Sequence, residues 1–227
     1  LRDRYFLKHP NIIKIICHDI GRHLGCYGVK SVNSNAIDSL AKNGILFKNS
    51  FATSPGCSPS RAAIATGMYP HNTGVLGLAH AHFGWSLDNR INHIAKYFSE
   101  NGYTSILFGL QHVTYHEKTL GFNKIFPERP ADEVLRNITK IIDNKIFKKP
   151  FYAEVNFFEP HRPFDYGGVK ADKSKGIYIP KYIPKNIYSR REFAEMQGAI
   201  KKMDDTVFKI INLLKKKNIY ENTIIVF

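Results

Sequence analysis

A cysteine followed by proline, serine and arginine two, three and four places on, Cys57-Ser58-Pro59-Ser60-Arg61, sets the chemistry this chain could do. Proline fixes φ and suits a first helical position, so the sequence predicts a turn feeding a helix through Ala62 to Gly67. A cysteine held there lies where the backbone N–H groups of a helix start favour an anion. Arg61, one turn on, can fork onto a tetrahedral oxyanion. These are parts for attack on a tetrahedral anionic centre. Taken alone, the same five residues fit a buried cysteine at a helix start equally well.

Three more segments put polar side chains just after apolar runs. Cys17-His18-Asp19 closes the run at residues 11–17, and an acidic residue there is well placed for a divalent metal. Gly109-Leu110-Gln111-His112 follows residues 103–108. Glu159-Pro160-His161-Arg162-Pro163-Phe164 follows residues 151–158. Histidine suits proton transfer near neutral pH, and a Pro-His-x-Pro frame holds the ring stiffly. Each has a plainer reading: Asp19 as a turn cap, His112 as a structural histidine, His161 as a bystander. His80, His82, His93 and His116 carry no motif and read as surface or loop histidines.

In this order the blocks resemble the type I sulfatases of the alkaline-phosphatase-like superfamily, whose signature is Cys-x-Pro-Ser-Arg followed by a Thr-Gly pair, here Thr66-Gly67. Gly25-Cys26-Tyr27-Gly28 and Tyr69-Pro70-His71-Asn72-Thr73-Gly74 also match family positions. The resemblance implies that Cys57 is oxidised to formylglycine, whose hydrated aldehyde is the nucleophile. It implies that Asp19, with position 57, holds a divalent metal, calcium. It gives Arg61 the charge developing on the transferring group, His161 the protonation of the leaving oxygen or nitrogen, and His112 a part in regenerating the aldehyde. The substrate implied is a small-molecule or oligosaccharide sulfate ester, a sulfated sugar above all. The implied partner is a formylglycine-generating or anaerobic sulfatase-maturing enzyme.

The match departs at named positions. His18 stands where the family has the first aspartate of a pair; a hard calcium ion prefers oxygen, so Asp19 and not His18 is expected to ligate. Leu110 stands at the family's sulfate-binding lysine and Gln111 at its tryptophan, which leaves Arg22 and Arg162 as candidate substitute cations. Met203-Asp204-Asp205 through Phe227 resembles the helix and strand before a C-terminal metal motif, Thr-Ser-Asp-His/Asn-Gly, which would begin after Phe227. Residues 1–227 are therefore expected to form a single domain, the N-terminal part of a sulfatase catalytic domain. Two other readings stay open: a phosphodiesterase or phosphonate hydrolase of the same superfamily, and a catalytically silent relative that binds.

The elements that must position these residues alternate. Strands are expected at 11–17, 45–52, 103–108, 151–158 and 223–227, and helices at 34–42, 89–100 and 132–144. A long helix is expected to open at a capping box, Ser189-Arg190-Arg191-Glu192. This alternation implies an α/β fold, a largely parallel sheet covered by helices on both faces, with its site at the carboxyl ends of the strands. The Gly- and Pro-rich stretch from the 160s to Pro184 reads as a mobile lid or insertion.

Composition narrows the classes. A chain of 227 residues with 43% hydrophobic and 13% aromatic content can bury a core. No apolar run approaches the ~18 residues of a membrane span. The net charge of +14 clusters as lysines at 145–149, 170–185 and 215–217. No nucleic-acid motif accompanies it, and an anionic substrate fits the charge as well. Three cysteines without C-x-x-C spacing suggest neither a disulfide framework nor a zinc site. Residues 1–10 lack the apolar core of a signal peptide, and the compartment stays unread.

Overall fold

The computed structural model describes residues 9–80, 82–144 and 150–227; the lysines at 145–149 and most of the charged stretch 1–10 lie outside them. Five parallel strands form one sheet in the order β3-β2-β4-β1-β5. They are β1 (Asn11–Ile16), β2 (Thr104–Gly109), β3 (Lys124–Phe126), β4 (Phe151–Asn156) and β5 (Thr223–Val226). Strand side chains alternate between faces, and β4 shows what each face meets. Phe151, Ala153 and Val155 join Ile13, Ile15, Ile106 and Phe108 in the main core. Helices α1 (Asn35–Asn43), α5 (Ala131–Asp143) and α6 (Ile187–Lys216) cover that face. On the other face Tyr152 stacks at 4.6 Å on Phe98 of α4 (Ile94–Glu100). A smaller core of Ala62, Val75, Leu87, Val113 and Leu120 lies beneath α2 (Cys57–Thr66) and the short α3 (Pro70–Thr73). The expected parallel sheet with helices on both faces is what forms.

Helix α6 is the longest because its apolar residues keep helical spacing from Ala194 to Leu214. Ile200, Met203, Val207, Ile210 and Leu214 are each at most 1% exposed. Burying one such side chain contributes about 1.5–3 kcal/mol, so this stripe holds the helix against the sheet. Its cap differs from the expected one. Asn186 accepts from the backbone N–H groups of Tyr188 and Ser189, and Ser189 returns a bond to the Asn186 N–H. Ser189 is thus the third-position partner of the box rather than its cap.

Three further expectations are corrected. Residues 45–52 form no strand; Ile45, Phe47 and Phe51 are 82%, 69% and 87% exposed. An apolar run becomes a strand only beside a neighbour that completes its ladder, and none flanks this run among the described residues. The helix expected from residue 89 starts at Ile94, because Asp88 accepts from the Arg90 N–H and holds 88–91 as a turn. The supposed lid is tied down at its centre: Asp172 accepts from Asn33 and Ser174, and Gln197 of α6 donates to the Gly176 carbonyl. A Cβ at residue 198 would stand 2.0 Å from the Lys170 carbonyl, so Gly198 is what lets this stretch lie on the helix. The short β3 was not expected from the sequence.

Lys14 and Glu154 face each other as register partners on β1 and β4, with their charged ends 2.7 Å apart and almost wholly buried. Tyr152 and Asn156 also donate to the Glu154 carboxylate. Burial alone would raise the Glu154 pKa, but Lys14, then His93 and the Asn156 amide, outweigh it and hold it at about 2. Asp19, His112 and His161 follow β1, β2 and β4, so all three emerge at the same edge of the sheet.

Candidate active site

Cys57 is the first residue of α2, capped by Gly56 in an extended conformation with no side-chain cap on its N–H groups. Pro59 is third in the helix rather than first, still within the turn whose N–H groups have no intrahelical partner. The Ser58 hydroxyl accepts from the Ala79 N–H at 3.0 Å, which pins the helix start to the loop carrying His80. Burial raises the Cys57 pKa, Asp19 raises it further and Arg61 opposes them. The residue is held as a thiol rather than primed as a thiolate.

Arg61 is only 5% exposed. One terminal nitrogen donates to the Leu110 carbonyl at 3.4 Å, and the other has no hydrogen-bond partner. Leu110, at the position expected to have lost a lysine, therefore contributes backbone to the guanidinium and no charge of its own. Burial lowers the Arg61 pKa, but Glu154, Cys17, Cys57 and Asp19 counter it, and a guanidinium stays protonated in proteins. The buried nitrogen is a cationic donor with no hydrogen-bond partner among the described residues.

The five residues expected to do chemistry meet. Cys57 Sγ lies 4.0 Å from Asp19 Oδ1, and Asp19 Oδ2 lies 3.9 Å from His161 Nε2. His18 sits behind them as a hub: its ring packs edge-on against His161 at 5.0 Å and His112 at 5.5 Å. His80 stacks on His112 at 4.3 Å. Burial, then Arg61 and the other imidazoles, push the His18 pKa down to about 2. Burial, then His80 and Arg61, push His112 down to about 3. Both rings are neutral. Asp19 and His112 also take positive φ, 45° and 57°. That conformation is uncommon outside glycine, and such residues cluster at functional sites.

Arg22 and Arg162 do not replace the lost lysine. Arg22 lies over the Tyr27 ring at 5.3 Å, and Arg162 is exposed and paired with Glu192. His71 is exposed and stacks on Tyr69 at 5.9 Å. Sequence reasoning missed His80 and the central place of His18. Nothing in the spacing marks His80; the Ser58–Ala79 bond brings it in. His93, read as a surface histidine, is 2% exposed and caps α4, its Nδ1 accepting from the Ala95 N–H at 3.0 Å.

Among the described residues, His18, Asp19 and His161 offer ligand atoms that all lie within 4.8 Å of one another, a possible metal site. Cys57, the other expected metal neighbour, stands beside that group rather than in it. No helix among the described residues is long and apolar enough to cross a membrane.

A family model described as Sulfatase matches residues 10–227. The human N-sulphoglucosamine sulphohydrolase is 24% identical over 248 residues, covering 96% of this chain and 49% of that protein. An ulvan-active sulfatase of Formosa agariphila is 32% identical over 172 residues, 73% of this chain and 33% of its own length. Among solved structures, the phosphonate monoester hydrolase of Agrobacterium radiobacter superposes with a TM-score of 0.72 at 20% identity, covering 95% of this chain and 61% of that one. That likeness concerns the fold alone. The chain spans about half the length, or less, of the curated relatives it matches.

Proposed function

From the premise that this chain belongs to the sulfatase family, we propose that it hydrolyses a sulfate ester of a small molecule or oligosaccharide, a sulfated sugar, at the cleft around Cys57. The observation that carries the reading is the convergence of Cys57, Arg61, Asp19, His112 and His161 on one edge of the sheet. We propose residues 10–227 as the N-terminal part of the catalytic domain. The relatives' substrates, N-sulphoglucosamine and ulvan, support a sugar sulfate.

A formylglycine at position 57 would supply a hydrated aldehyde, whose oxygen attacks sulfur and whose collapse releases sulfate, a release that serine or unmodified cysteine cannot complete. A formylglycine-generating or anaerobic sulfatase-maturing enzyme would convert Cys57. Arg61 presents its unpartnered nitrogen to the transferring group and stabilises charge that grows there. We assign His161 to protonation of the leaving oxygen or nitrogen and His112 to regeneration of the aldehyde.

Calcium, the ion implied by the resemblance, takes six to eight oxygen ligands. The described residues give two ring nitrogens and one carboxylate. Those three donors by themselves do not fit calcium, and no step here is routed through it.

Mass spectrometry of the Cys57 peptide, after co-expression with a maturation enzyme, tests the nucleophile. The expected peptide is lighter than the cysteine form and reacts with hydrazides. An unconverted Cys57 would sink the reading. Turnover of a phosphodiester in preference to a sulfate ester would move the chain to the phosphodiesterase or phosphonate hydrolase reading.

A further inference from the structure

We propose that the divalent ion of this cleft is a nitrogen-preferring transition ion of the zinc or cobalt class, held by His18, Asp19 and His161, in place of calcium. The inference rests on the reading of this cleft as the active site. Its first ground is donor chemistry: two imidazoles and one carboxylate, with their ligand atoms within 4.8 Å of one another. Imidazole suits zinc, copper, iron and nickel, and two histidines with one carboxylate leave positions open for water or substrate. Ligand atoms about 2.1 Å from a tetrahedral ion stand roughly 3.4 Å apart, so His161 Nε2 and Asp19 Oδ2, at 3.9 Å, are already near that spacing.

The second ground is the direction of the lone pairs. The Nδ1 of His161 is hydrogen-bonded to the Arg162 carbonyl. A carbonyl only accepts, so Nδ1 carries the hydrogen, which in the neutral ring leaves the Nε2 lone pair on the side of Asp19. Metal-bound histidines are oriented in just this way, donating the far N–H to a carbonyl or carboxylate.

The third ground is His18 itself. It is 2% exposed, and its Nε2 is buried with no hydrogen-bond partner. Leaving such an atom unpaired in the interior is unfavourable. The rings of His112, Phe158 and His161 surround it at 5.0 to 6.0 Å, so the side chain has no open path to water. Its unpaired nitrogen is met by an ion more simply than by any side chain present. An ion on His161 Nε2 occupies that lone pair, so with the ion bound the protonation of the leaving group passes to a donor other than His161.

Cobalt(II) added to the metal-free 227-residue chain is the test, because nitrogen and oxygen donors give it visible absorption bands. One equivalent should bind, zinc should displace it, and a large excess of calcium should not. The His18→Ala variant should lose affinity by roughly a hundredfold or more, since loss of a supporting partner alone costs about 10–100-fold. Should that variant fail to fold, His18→Asp restores an oxygen donor and should swing the preference toward calcium. Cys57→Ser should keep the bands, showing that the thiol is not their source. Displacement of cobalt by calcium, or an unchanged preference in a folded His18→Asp variant, would overturn the proposal. Cobalt uptake through His18 by a chain whose Cys57 is never converted would uphold this inference and sink the sulfatase reading, so the two fail separately.

Discussion

The imidazoles divide by what burial does to them, and His93 gives the cleanest test. Burial lowers its pKa to about 4; Glu154 opposes the shift and Lys14 assists it. The folded pKa lies below the unfolded value of 6.5, so the stability it contributes is complete above pH 6.5 and drains away as pH falls toward 4. The span corresponds to roughly 3 kcal/mol. Protonation at Nδ1 would also remove the acceptor for the Ala95 N–H and uncap α4. His93→Asn keeps a capping acceptor that does not titrate. Thermal melts between pH 7 and 4 should therefore fall less steeply in the variant, and equal slopes would show that His93 plays no part. The sequence brought Cys57, Arg61, Asp19, His112 and His161 forward through their resemblance to family positions, since residue type and spacing alone left each a plainer reading. His80 and His93 were not legible there, because an imidazole's role depends on what packs round it, and only the folded chain brings Ala79 to Ser58 or encloses residue 93.

Elements were legible where one segment carries its own signal. The stripe of α6 and the apolar runs of β1, β2 and β4 announce themselves. Residues 45–52 do not, because a strand depends on its neighbours as much as on its own residues. Gly109 shows how an element's end sets the site. It ends β2 at φ +83°, and a Cβ there would stand 1.9 Å from the Asn156 carbonyl of β4. Gly109→Ala combines backbone strain with overpacking and should cost about 2–5 kcal/mol, read as a lowered denaturant midpoint. His112 lies three residues on, so binding at the cleft should weaken even where the variant remains folded. Wild-type stability in the alanine variant would mean that β2 and β4 are free to move apart.

At the scale of the whole sheet, the described residues leave β5 as an outer strand. β5 pairs with β1 alone among the described residues, with Ile224 and Val226 47% and 51% exposed. Ile45 and Phe47 line a cavity of about 470 Å³ with Ile225 and Phe227. An unpaired strand edge beside exposed apolar side chains invites pairing between chains. The charge of +14 opposes that approach until salt screens it. Sedimentation velocity should show self-association that grows with ionic strength, and Ile224→Lys with Val226→Lys should suppress it; a wild-type monomer at high salt would refute this.

The Lys14–Glu154 pair has a further consequence, for errors in assembly. A parallel strand displaced by a single residue turns its whole inward set to the opposite face. Were β1 to slide by one place against β4, Lys14 would turn into the apolar main core and leave Glu154 without its counterpart, a penalty of about 3–5 kcal/mol for a pair broken in the interior. The rung thus works as a checksum on strand alignment: sheets that close one step out are unstable from the moment they form, and the alignment that survives is the one that delivers Asp19 and His161 to the same edge.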